Sequence, residues 1–200
     1  MDASARIVVI GVGNPWRRDD GVGPAVVGLL RAGAYGLPEG TALHTGAGDP
    51  ARLLDLWQGA GLAVVVDAAR ARPARPGRVH RVPVSPGGGG GRSGRVPVES
   101  GSAGSHGLGL GAAVGLAEAL GRLPGRLVLY AVEGADDGTG TGLSAPVAAA
   151  VAPLAARIAG EITGHSGADP GHGAGWTATV CPAHMPGGRA GGAERGSRRT

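Results

Sequence analysis

The chain has 200 residues, enough for one domain with a real core, and a skewed composition: 42 glycines, no phenylalanine, and 19 basic residues that are all arginine. The formal charge of +4 is unevenly spread, since residues 70–95 carry seven arginines and no acid and residues 165–200 add a net +2, leaving −5 on the remainder. That distribution lacks the basic, aromatic-bearing face expected of a nucleic-acid-binding domain, and the single cysteine, Cys181, excludes an internal disulfide framework.

The first predicted element is a buried strand from Arg6 to Ile10, followed by a turn at Gly11 and Gly13. Gly21 to Arg31 reads as a helix, with Val22, Val26, Leu29 and Leu30 near helical spacing and Pro24 tolerated in its first turn. Thr41 to Thr45 is a short second strand, and Asp49-Pro50 opens a helix whose apolar stripe is Leu53, Leu54, Leu56 and Trp57. Leu62 to Val66 is an unbroken apolar run ending at Asp67, the pattern of a strand covered on both faces. Beyond the Pro76-Gly77 turn, Arg78 to Val84 alternates as a more exposed strand would.

Residues 86–95, with Gly87 to Gly91, read as a flexible loop. Leu108 to Leu123 reads as a third helix burying Leu110, Val114, Leu116, Ala117 and Leu120. Leu127 to Val132 is a further apolar strand, Gly138 to Gly142 a flexible turn, and Ser144 the cap of a helix reaching about Ile162. Residues 165–200 have the composition of a disordered tail, leaving residues 1–164 as the folded domain. Strands alternating with helices predict an α/β fold: a three-layer α/β/α sandwich around a largely parallel five-stranded sheet. The first residues lack the apolar core of a signal peptide and no stretch is read as long enough to span a membrane, so the expectation is a cytoplasmic protein without a membrane partner.

The chemistry concentrates in Gly11-Val12-Gly13-Asn14-Pro15-Trp16-Arg17-Arg18-Asp19-Asp20-Gly21-Val22-Gly23. A dinucleotide fingerprint requires glycine where Trp16 stands, a phosphate loop requires the lysine this chain lacks, and Asp19 and Asp20 repel a pyrophosphate. No nucleotide cofactor is therefore expected. Asp20 after the first strand, Asp67 at the end of the third, and His106 at the start of the third helix fall where open α/β sheets gather ligands. Two carboxylates and an imidazole suit a borderline divalent metal with open positions. Capping explains each residue too: Asp19 or Asp20 for the first helix, Asp67 for a turn, His106 for its own helix. Spacing alone favours the caps.

The opening motif resembles that of the hydrogenase maturation proteases, endopeptidases that trim the C-terminus of the [NiFe] hydrogenase large subunit. Val64-Val65-Val66-Asp67-Ala68 with Pro76-Gly77, Ser105-His106-Gly107-Leu108-Gly109-Leu110, and Gly142-Leu143-Ser144-Ala145-Pro146-Val147 resemble three further elements of that family, the whole covering about residues 6–162. The resemblance implies metal contacts and catalysis at Asp20, Asp67 and His106, with Gly13, Asn14 and Asp19 toward the substrate and Asp19 also placed to support the helix or orient Asp20. It implies nickel supplied by the substrate, a [NiFe] hydrogenase large-subunit precursor as partner, and water as nucleophile; it leaves the oligomeric state open. His44-Thr45-Gly46-Ala47-Gly48 departs from the family's acidic strand end, and Gly134 stands after Glu133 where the family often has proline; Glu133 itself reads as an exposed strand-end carboxylate. A non-catalytic binding or chaperone homologue and a nucleotide-binding α/β domain are the alternatives. Other protease signatures, His-Glu-x-x-His and Gly-x-Ser-x-Gly, are absent from the sequence.

Overall fold

A computed structural model describes residues 6–84 and 105–166, without the side chains of 105–109. The expected loop at 86–95, the expected tail beyond Ser166 and Cys181 lie outside the described residues. Five strands, β1 (Ile7–Val12), β2 (Ala42–Gly46), β3 (Leu62–Ala69), β4 (Val79–Val84) and β5 (Leu127–Glu133), form one sheet in the order β2-β1-β3-β5-β4. Every pairing is parallel except that of β4 with β5. Four helices cover it: α1 (Val22–Arg31), α2 (Pro50–Trp57), α3 (Ser105–Ala119) and α4 (Ala145–Ser166). The α/β/α sandwich read from the sequence is the fold observed.

Alternation along the strands divides the core in two. Val9, Val64, Val66, Val128, Tyr130 and Val132 face α1 and α4, whereas Val8, Ile10, Val12, Ala63 and Val65 face α2 and α3. Burial on both faces is why β1 and β3 read as continuous apolar runs. Asp49 caps α2 as its sequence predicts, its carboxylate accepting from the Arg52 N–H at 2.8 Å, and Pro50 occupies the first turn.

Several expectations need correction. β3 continues past Asp67 to Ala69, because β5 still pairs with it there (Ala68 with Val132, Ala69 with Glu133) after β1 has stopped at Gly11–Val66. α3 begins at Ser105 and buries Ala113 and Ala117; Leu116 and Leu120 are exposed. One residue before Ala117 lies about 100° round a helix, which turns Leu116 off the buried stripe. α4 runs to Ser166 and is, by length and composition, apolar enough to cross a membrane, contrary to the expectation that no stretch is. Its buried residues Val147, Leu154, Ala155, Ile158 and Ile162 belong to the core shared with α1.

At the far edge, Glu161 of α4 gathers Arg81, Arg126 (3.3 Å) and the Tyr130 hydroxyl (2.6 Å). Burial pushes the Tyr130 hydroxyl up to about 12, helped by its bond to Glu161. This cluster fastens α4 to β4 and β5.

Candidate functional site

β1 leads to β2 on one side and β3 lies on its other side, so the chain parts at the carboxyl ends of β1 and β3, the position where such sheets bind ligands. The opening motif is folded over this crevice. After β1, Gly13 adopts φ 130°, and a Cβ there would stand 1.9 Å from the Asp20 carbonyl oxygen. Only glycine lets the turn close so tightly. Arg18–Gly21 forms a short 3-10 turn packed against β3, and α1 starts immediately after it. Gly23 in α1 is wedged between strands: its Cβ would lie 2.3 Å from the Val12 carbonyl oxygen and 2.6 Å from that of Val66. Asp20 and the residue preceding Asp67 are thus brought to one place by backbone packing.

Neither aspartate of the motif caps α1, whose N-cap is Gly21 with no side-chain bond. Asp20 is half-buried and its Oδ2 accepts the Asn14 N–H at 2.8 Å. Asn14 turns its own Oδ1 to the Trp16 N–H at 2.9 Å, so it shapes the turn and fixes Asp20 from beneath. Trp16, beside it, is 67% exposed.

Asp19 points the other way. It is buried, and its carboxylate accepts from the N–H groups of Ser144 (2.6 Å), Ala135 (2.8 Å) and Asp136 (3.0 Å) and from the Ser144 hydroxyl (2.9 Å). Burial alone raises its pKa, but these bonds, led by the Ser144 N–H, outweigh it and hold the carboxyl below its ordinary value. Ser144, expected to cap α4 with its hydroxyl, spends that hydroxyl on Asp19; its carbonyl still accepts from Ala148 at 2.8 Å. The 138–142 turn, expected to be flexible, is stitched to the motif by Arg18 N–H to Gly140 O (3.0 Å) and Gly140 N–H to Trp16 O (2.8 Å).

Asp67 is buried at 6% exposure. Its Oδ1 accepts the Ala68 N–H at 2.8 Å. By strand alternation it faces α2 and α3, as do Ala63 and Val65 before it. α3 ends one short connection before β5 starts at the opposite rim. A helix of its 15 residues is about 22 Å long, which carries its first turn, and the backbone of His106, back toward the carboxyl rim. The His106 side chain is outside the described residues; among those described, no group of three His, Cys, Asp or Glu side chains stands within reach of one metal ion.

Two groups here were not anticipated. Glu133, expected to be exposed, is buried, with Oε1 2.6 Å from His80 Nε2 and Oε2 accepting the Arg75 N–H at 2.5 Å. Burial pushes the Glu133 carboxyl up, but the bonds from His80 and Arg75 prevail and hold it low. The other is the clamp role of Asp19. Its partners lie 116 to 125 residues away, and no local pattern announces them.

No protein-family model matches the chain, and no curated protein does. Solved structures do. The hydrogenase maturating endopeptidase HybD of Escherichia coli superposes with a TM-score of 0.66 at 23% identity, over 81% of this chain and 94% of that one. The [NiFe] hydrogenase maturation protease HybD of Thermococcus kodakarensis gives a TM-score of 0.56 at 20% identity, over 78% and 98%. The hydrogenase 2 maturation peptidase of a Thaumarchaeota archaeon gives 0.53 at 23% identity, over 80% and 99%. The fold of this chain is therefore the one these maturation proteases adopt.

Proposed function

We propose that this chain is an endopeptidase that removes a C-terminal peptide from the nickel-loaded large-subunit precursor of a [NiFe] hydrogenase. The observation that carries the reading is the opening motif folded over the β1–β3 crevice, with the 3-10 turn that carries Asp20 packed on β3, in a fold shared with solved maturation proteases. Asp20, Asp67 and His106 are the proposed contacts to nickel, which arrives as part of the substrate. An open set of two carboxylates and one imidazole suits transient bridging to such an ion. The ion then orients the scissile peptide and polarises its carbonyl for attack by water. Gly13 and Asn14 border the substrate, and Asp19 acts from behind by holding the turn that carries Asp20. A non-catalytic homologue would keep the fold and bind the precursor without cutting it.

The test is to incubate the purified chain with nickel-loaded and nickel-free precursor and read intact mass. Loss of a C-terminal peptide from the loaded precursor alone is expected. No cleavage of either form rejects the endopeptidase, and equal cleavage of both rejects nickel recognition.

A further inference from the structure

The β3–β4 connection, residues 70–78, is anchored in its second half, from Arg75 to Arg78, and carries more positive charge than its surroundings neutralise. The Glu133 carboxylate holds the Arg75 N–H, its carbonyl accepts from Gly77 N–H at 2.8 Å, and its own N–H donates to Arg78 O at 2.9 Å. His80 braces that carboxylate. Gly77 presses on the start of α4 so closely that a Cβ would lie 2.4 Å from the Pro146 carbonyl oxygen. Arg70 is neutralised by Asp137, which Arg17 of the opening turn also approaches at 3.8 Å. Arg72 and Arg75 are exposed and form no ion pair among the described residues. The loop leaves β3 just beyond Asp67, at the rim where the Asp20 turn lies.

We propose that this loop is a docking rim for an acidic segment of the protein substrate, with Arg72 and Arg75 meeting its carboxylates. The inference rests on the endopeptidase reading for the substrate's being a protein, and adds the chemistry of the stretch it presents. Guanidiniums suit carboxylates, and Arg75 presents one from a backbone that Glu133 already holds, so ordering it on binding costs less than ordering a loose loop. Residues 70–78 contain no aromatic side chain on which a base stacks, which favours a peptide over a nucleic acid.

The experiment measures anisotropy of three labelled probes against the full chain across a salt series: an Asp/Glu-rich peptide, a neutral peptide of equal length, and a single-stranded oligonucleotide of matched charge. The acidic peptide is expected to bind about tenfold more tightly than the neutral one, with the advantage shrinking as salt rises. The Arg72→Glu/Arg75→Glu double variant is expected to lose that advantage while keeping the wild-type circular dichroism spectrum. Equal binding of the two peptides, an advantage that survives in the double variant, or preference for the oligonucleotide would each overturn the proposal. Acidic-peptide binding by a chain that leaves nickel-loaded precursor uncut supports the rim and rejects only the endopeptidase reading.

Discussion

Asp19 and Asp20 are neighbours of one residue type with opposite fates. Asp20 stays half-buried against Asn14, while Asp19 turns inward and joins the opening motif to the β5–α4 connection through four donors. Removing the buried Asp19 carboxylate leaves those partly buried donors without their acceptor. Asp19→Ala should therefore destabilise the fold by about 3 kcal/mol, read by urea denaturation. The pH dependence has a definite sign. Because the folded carboxyl is held below its unfolded value near 3.8, its contribution is complete above that value and disappears as pH falls through the lower folded value. The variant's stability should accordingly depend less steeply on pH in this acid range than the wild type's. Parallel curves would show that Asp19 is not the clamp. The motif placed both acids at one turn, but which of them faces inward is decided by Ser144 and Ala135 and was not legible.

The junction of β1, α1 and β3 depends on glycines that act through space as well as through dihedral freedom. A methyl at Gly23 meets the Val12 and Val66 carbonyl oxygens below contact distance, whereas Gly28 on the same helix has nothing within 4 Å. Gly23→Ala is expected to cost about 3 kcal/mol through forced backbone displacement. Gly28→Ala should stabilise by about 0.5–1 kcal/mol, as alanine does at an open helical position. Thermal unfolding of the two variants checks both, and equal shifts would contradict the close-approach explanation. At this scale the sequence was a good guide where the pattern is local. Double-faced burial made β1 and β3 recognisable, and Asp49-Pro50 announced α2. It misled where partners are remote: β3 outruns Asp67 because β5 supports it, and α3 buries its small alanines rather than Leu116 and Leu120.

For the molecule as a whole, the strand order parts the chain between β1 and β3, and the opening motif, β3 and α3 all lead to that carboxyl rim. Topology explains why Asp20, Asp67 and His106 stood out in the sequence despite separations of tens of residues, and why Glu133 did not: its burial comes from an antiparallel edge strand and a loop folded back on it. The most direct measurement compares precursor trimming by Asp20→Ala, Asp67→Asn and His106→Ala, with circular dichroism recorded on each. Asparagine is chosen at 67 because that side chain is buried and its shape must be kept. All three variants should retain the wild-type spectrum and lose trimming by at least about 100-fold, the scale for removing a group that stabilises the transition state. Normal trimming by any one of them, in a folded protein, would contradict a shared site.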